Sequence, residues 1–245
     1  MQACGHSLSH QLTDADVRHS VRHLLGLPAT TKARMPDKCT CGVAIAGNTY
    51  HGMHCRLTRR TVVTRGHDRI SQLLTMHARQ AGATARMEPT DLTWKNNQHP
   101  DGEIIMGDDV TWFDVTIRDP GAPSHVVAAG TKLAIAKSAE KSTRNIYADM
   151  ARVSKVAFMP FAYEATGAAG PSAQMLLDKI VDWCKDNQPL VSAPALRISL
   201  VYSIAVAIQR RNAAATRICL ELSRVRELDE TRRVLTNSAL NTREW

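Results

Sequence analysis

No stretch of the chain approaches the roughly eighteen uninterrupted apolar residues that mark a membrane-crossing helix. The opening Met1-Gln2-Ala3-Cys4 lacks the apolar core of a secretory signal. An intracellular protein with no membrane insertion is therefore expected. Internal repeats and low-complexity tracts are also missing, so stacked-repeat architectures drop out. A disulfide framework is excluded as well, because six cysteines in an intracellular chain remain reduced thiols. With 44% hydrophobic and 22% charged residues over 245 positions, the chain can bury a core and is not broadly disordered.

The formal charge of +8 is confined to the first third. Up to Met87 there are twelve Lys and Arg against four acids, and from Glu88 onward nineteen of each. Eight of the ten histidines share that basic third, so its charge rises further in mild acid. A basic module joined to a neutral one suits a polyanionic partner, with nucleic acid foremost; a solvated basic surface is the plainer alternative.

Periodicity supplies the elements. Val17, Val21, Leu24 and Leu25 recur at helical spacing between Thr13 and Leu25, with Asp14 and Asp16 in the first turn. A loop from Pro28 to Lys38 follows. Ile70, Leu73, Leu74, His77, Ala78 and Ala81 form a second stripe, which predicts a helix over 68–81 stopped by Gly82. Strands are expected at 83–88, 103–106 and 110–118, then a long alanine-rich helix over 127–154 and a strand over 156–166. Helices over 173–186 and 195–222 and a polar tail from Arg224 complete the chain. The αβββαβ order between Asp68 and Thr166 describes an α/β fold with a small mixed sheet between helices. Three regions result: a basic 1–66, a core over 67–170 and a helical extension over 171–245.

Cys39, Cys41, His51 and Cys55 spell C-x-C-x9-H-x3-C. Three thiolates and an imidazole on a short loop match a structural tetrahedral zinc site, with His54 a competing ligand. Chance clustering is the alternative. A zinc ion would fold a loop too short to have its own core and present Arg56, Arg59, Arg60 and Arg65 to a phosphate backbone. The scattered Cys4, Cys184 and Cys219 read as small apolar or terminal side chains.

Among the acids, Glu88, Asp101 and Asp114 precede or interrupt predicted strands. Asp114 stands in the otherwise apolar Trp112-Phe113-Asp114-Val115, where an unpaired carboxylate would cost several kcal/mol, about 2–7 for an unpaired polar group alone. It is expected to face a cation, a donor or solvent. Were Asp101 beside it, a divalent cation would relieve their repulsion, and hard oxygens suit magnesium or manganese. Each acid alone is equally at home in a turn or on a strand edge. Lys137 and Lys141 share a helix face with Glu140 nearby, where one lysine could reach a phosphate or the whole face could simply be solvated.

Taken in order, these pieces resemble the restriction-like endonuclease region at the C-terminus of non-LTR retrotransposon reverse-transcriptase polyproteins. The matching residues are Cys39, Cys41, His51 and Cys55; Gly66-His67-Asp68; Pro100-Asp101 and, after twelve residues, Asp114; then Lys141 and Tyr147. Leu24-Leu25-Gly26-Leu27-Pro28 and the run from Pro160 to Gly167 are similar too, so the resemblance spans Leu24 to Gly170. It implies a PD-(D/E)XK nuclease core with an N-terminal zinc knuckle. Asp101, Asp114 and the Val115 carbonyl would hold magnesium or manganese, Glu88 would complete the site, and a lysine would activate water. His67 and Tyr147 would join the four arginines in contacting nucleic acid.

Two positions depart from the pattern. Thr116 stands two after Asp114 where the motif has lysine, which shifts the expectation to Lys141, and His99 replaces the basic residue before Pro-Asp. No Ala-Asp-Asp polymerase motif is present, so the chain would be the tail of a larger element, fused to or acting with a reverse transcriptase in the nucleus. The expected activity is metal-dependent nicking of DNA, with the element's RNA as a second ligand. A zinc-containing nucleic-acid-binding module without catalysis is the alternative, and an interaction fragment with neither property is a third.

Overall fold

A computed structural model of the chain describes residues 11–31, 35–45, 48, 50–89, 98–125 and 130–241, excepting the side chains of Arg59, Arg60 and 234–241. In chain order the helices are α1 (Asp14–Leu24), α2 (Arg56–Thr58), α3 (Thr64–Gln80), α4 (Ala134–Ser154), α5 (Pro171–Asn187) and α6 (Ala193–Asn241). The strands are β1 (Thr84–Met87), β2 (Gly102–Met106), β3 (Asp109–Arg118) and β4 (Ala157–Glu164). A single tight turn at His51–Met53 and a wide turn at Arg59–Val63 flank α2. The chain groups into two compact units, one containing Arg65–Arg210 and the other Asp14–Thr64 with Arg211–Trp245. The expected break between residues 170 and 171 is not where the units divide.

The first unit is mixed α/β. Its sheet runs β1-β2-β3-β4, antiparallel except for the parallel β3–β4 pair. A parallel neighbour needs a crossover, and α4 supplies it. The succession α3, β1, β2, β3, α4, β4 is the expected αβββαβ order. Alternation along β3 sorts its side chains between two faces. Phe113 and Val115 enter the main core with Ile70, Leu74, Phe161, Leu176, Ile180, Leu200 and Ile204. Trp112 turns the other way to pack with Tyr147 and Met150 of α4. Asp114 and Thr116 share the Trp112 face, so β3 points Asp114 at α4.

Three boundaries differ from expectation. Helix α4 starts at Ala134, not residue 127, because Gly130-Thr131 favours a turn and Leu133 adopts a left-handed φ of 58° before the helix begins; residues 127–129 of that expected helix lie outside the described residues. Strand β4 closes at Glu164, where Gly167 (φ 98°) allows the tight turn that follows. The predicted polar tail after Arg224 is instead helical to Asn241. Polar composition does not stop a helix: no Gly or Pro follows Pro194, Arg and Glu are good helix formers, and Arg226 pairs with Glu230 one turn on.

In the second unit α1 inverts its expected polarity. Val17, Val21, Leu24 and Leu25 are exposed, whereas Asp16 and Ser20 are buried. Partners on α6 explain the reversal, since Arg217 lies 3.8 Å from Asp16 and the Thr216 hydroxyl 3.0 Å from His19 Nε2. Ile45, Leu220 and the cysteines Cys39, Cys55 and Cys219 make a small core there. Among the described residues, no helix is long and apolar enough to cross a membrane.

Candidate functional site

In the sheet unit, β1 and β2 pair so that Met87 faces Gly102, and the ladder extends one step as Glu88 N–H donates to the Asp101 carbonyl (2.9 Å). Asp101 therefore sits at the mouth of β2. Gly102 beside it is obligatory, because a Cβ there would strike the Cζ and Cε1 edge of the Phe113 ring and come 2.9 Å from the Arg86 carbonyl. Asp101 Oδ2 accepts a hydrogen bond from the Val115 amide at 2.6 Å, which brings its carboxylate to the residue following Asp114. The same oxygen is 2.9 Å from His67 Nε2 on α3. His67 Nδ1 lies 3.2 Å from Asp68.

Asp114 is held from α4. The Tyr147 hydroxyl lies 3.0 Å from Asp114 Oδ1 and 2.9 Å from the His99 carbonyl, and with one proton it donates to one of them at a time. Its ring packs on Phe158 at 4.7 Å. Thr116, one pleat further along β3, contacts the Thr143 hydroxyl at 3.3 Å and also hydrogen-bonds Asp114.

The electrostatics follow from this crowding. Burial raises the Asp114 carboxyl, the Asp101 charge raises it further, and hydrogen bonds from Tyr147 and Thr116 with the His67 charge recover only part, leaving it at about 7. Burial acts against charge on His67, but the hydrogen bond and charge of Asp101, the hydrogen bond of Asp68 and the charge of Asp114 outweigh it and hold the imidazole at about 9. Burial, then the Asp114 charge and hydrogen bond, push the Tyr147 phenol well above its ordinary value, so it remains a donor. His67 thus faces the carboxyl groups of Asp68, Asp101 and Asp114, in a pocket lined by hard oxygen atoms.

Asp101, Asp114, Val115, His67 and Tyr147 are thus brought together. His67 and Tyr147, expected at nucleic acid, place their polar atoms within the site, His67 on Asp101 and Asp68 and Tyr147 on Asp114 and the His99 carbonyl. Glu88 lies across from Asp101 with an exposed side chain and a left-handed φ of 40°. Lys141 is exposed on α4, six residues before Tyr147 and so about 120° around the helix from it. Among the described residues it makes no hydrogen bond or ion pair. Its neighbour Glu140 is buried and structural, accepting from the Ser172 amide at 2.7 Å at the start of α5.

In the other unit, one ligand atom from each of Cys39, Cys41, His51 and Cys55 lies within 4.8 Å of every other. Cys39 and Cys55 sulfurs are 3.7 Å apart, and Cys41 sulfur is 3.1 Å from His51 Nε2. Two thiolates on a tetrahedral ion with bonds of about 2.3 Å would stand about 3.8 Å apart, so the spacing fits one metal ion. Amide donors already point at the sulfurs: Cys41 N–H at Cys39 and Leu57 N–H at Cys55, both at 3.4 Å. Burial pushes the Cys39 thiol up, but that amide and the surrounding cysteines outweigh it and hold Cys39 below the usual thiol range. Burial lowers His51, with the His54 charge adding to it, which favours the neutral imidazole that a metal ion needs. His54 points elsewhere, to Asn48 at 3.2 Å.

Arg56 is exposed and its guanidinium reaches the Cys41 carbonyl (3.5 Å), at the surface of this loop. Arg65 is exposed at the start of α3, and the side chains of Arg59 and Arg60 lie outside the described residues. Cys4 lies outside them too. Cys184 is a buried core residue, as expected, whereas Cys219 on α6 places its sulfur 3.5 Å from Cys39. Nothing in the local pattern around Cys219 signals that contact. No family model matches the chain, and no curated protein matches it.

Proposed function

We propose that this protein is a metal-dependent DNA endonuclease of the restriction-like kind, with a zinc knuckle that helps to hold nucleic acid. The observation that carries the reading is the convergence of Asp101 and Asp114, from the mouth of β2 and the middle of β3, on one partly buried pocket. Two like charges there call for a cation, and hard carboxylate oxygens suit magnesium or manganese. Asp101 Oδ2 is taken by the Val115 amide and His67, which leaves Oδ1 to face an ion. Tyr147 and Thr116 engage Asp114 through single hydroxyls, which leaves carboxylate lone pairs for an ion. The Val115 carbonyl would add a third oxygen, and Glu88 stands at the rim. A divalent ion bound there would offset the negative charge that builds on a phosphate under attack by water.

In the knuckle, Cys39, Cys41, His51 and Cys55 would hold zinc and present Arg56, with Arg59, Arg60 and Arg65 as further phosphate contacts. The basic first third supports a nucleic-acid partner. On this reading the chain is the nuclease portion of a non-LTR retrotransposon protein, working in the nucleus beside a reverse transcriptase on DNA and the element's RNA.

The test is nicking of supercoiled plasmid by the zinc-loaded protein with added magnesium or manganese. Nicking is expected to need the added ion and to vanish in Asp101→Ala and Asp114→Ala; a folded wild-type protein that leaves plasmid supercoiled with both ions refutes the activity. A second reading, a nucleic-acid-binding module without catalysis, is favoured by two observations. Thr116, where the motif carries lysine, is bonded to Thr143, and Lys141 is turned away from the acids. It predicts salt-sensitive retention of DNA that persists in Asp101→Ala and falls in Cys39→Ser.

A further inference from the structure

Cys219 differs from Cys184, the other described cysteine outside the knuckle, in what surrounds its sulfur. It is 3% exposed, and its sulfur lies 3.5 Å from that of Cys39, closer than Cys55 at 3.7 Å. It is not one of the four residues whose ligand atoms gather within 4.8 Å of one another. The rest of its helix face serves the same loop. Ser223 Oγ accepts from the Thr40 amide (3.2 Å), Arg226 donates to the Thr40 carbonyl (3.0 Å), and Glu227 accepts from the Asp37 amide (2.7 Å). Positions 219, 223, 226 and 227 follow helical spacing, so a single stripe of α6 grips the segment 37–41. On the other ligand strand, Gly52 next to His51 lies so close to α6 that a Cβ would strike the Ala215 carbonyl and come 2.8 Å from Cys219 Cβ.

We propose that Cys219 is a positioning residue of the metal centre: its thiol S–H donates to the Cys39 sulfur, so metal affinity depends on a residue 180 positions away on the C-terminal helix. A thiolate bound to zinc keeps lone pairs that need donors in a buried site. Cys39 receives one from the Cys41 amide and the other from Cys219. Such donors set the orientation and electron density of the ligand they touch, and deleting one weakens metal binding about 10- to 100-fold. The C-x-C knuckle is therefore completed by α6 and does not close on its own loop. This inference rests on the metal-binding reading of the four ligands and is independent of the nuclease reading.

The experiment is zinc affinity of the full chain by competition with a chromophoric chelator, with cobalt(II) absorption as a second readout, in wild type, Cys219→Ser and Cys219→Val. Valine fills the space without a donor and serine keeps one. Cys219→Val is expected to bind zinc about 10- to 100-fold more weakly and Cys219→Ser to stay within about threefold of wild type. The cobalt charge-transfer band of Cys219→Val should move to lower energy, since Cys39 becomes richer in electrons, while its intensity remains that of three thiolates. Should the valine variant not fold, Cys219→Ala carries the same expectation. Wild-type affinity in the donor-less variant, or a drop in thiolate intensity showing that Cys219 itself ligates, overturns the assignment alone. A wild-type chain that takes up neither zinc nor cobalt overturns the metal centre and the assignment with it.

Discussion

Replacing Asp114 with asparagine should make the metal-free acidic site more stable while abolishing nicking. Burial and the Asp101 charge raise Asp114 from 3.8 to about 7. At about 1.4 kcal/mol per pH unit, that shift sets a ceiling of roughly 4 kcal/mol on the cost of ionising Asp114 in the folded protein. The pocket is only partly closed, so solvent screening and relaxation reduce the cost to about 1–3 kcal/mol. Asparagine retains an oxygen for the Tyr147 hydroxyl and loses only the charge. Because the folded value lies above the unfolded one, wild-type stability from this group is intact below about pH 4 and declines as pH rises through about 7.

The advantage of asparagine should therefore be full near pH 8 and about a third as large near pH 5. Urea unfolding followed by tryptophan fluorescence measures it, since Trp112 lies in β3 on the same face as Asp114. The protein must be zinc-saturated, in buffer freed of magnesium and manganese on a chelating resin. Added manganese should then stabilise wild type and leave Asp114→Asn unmoved. A variant no more stable than wild type near pH 8, or a difference that ignores pH, would refute the electrostatic account of the pocket.

Four further outcomes follow from the same geometry. Tyr147→Phe keeps the ring against Phe158 and removes the hydroxyl, so it should cost about 1 kcal/mol in thermal unfolding yet lower nicking by tenfold or more; equal losses in both would deny the hydroxyl a role in setting Asp114. Gly102→Ala drives a methyl into the buried Phe113 ring and should cost about 1–3 kcal/mol by urea titration, and a neutral result would show that β2 can shift freely. Glu140→Ala strips the acceptor from the buried Ser172 amide at the start of α5 and should cost about 1–2 kcal/mol, read by the same titration. Cys55→Ser should lower bound zinc, measured by atomic absorption, to well below one ion per chain, and full occupancy would remove Cys55 from the ligand set.

Much of the sheet unit was legible because its signals are local. The stripe through Ile70, Leu74 and Ala78 marks a helix wherever it occurs, and the alternation around Phe113 and Val115 marks a strand with two unlike faces. The C-x-C-x9-H-x3-C spacing likewise brings four donors together within one short loop. Element ends were less legible. Gly130 and the left-handed Leu133 delay α4, and the polar run after Arg224 stays helical because helix propensity does not depend on polarity.

What the linear order of residues decided alone was the element types, the αβββαβ succession, the Cys/His cluster and the isolation of Asp114 among apolar strand residues. Each depends on neighbours within a few positions, and side-chain direction repeats with the helix or strand period. Only the folded chain decided that Asp101 meets the Val115 amide, that His67 and Tyr147 turn to the two acids, and that Lys141 does not. It also decided that the apolar stripe of α1 faces solvent and that Cys219 reaches Cys39. Those contacts join residues far apart in sequence, and their energies depend on strand register and helix rotation, which no local pattern encodes.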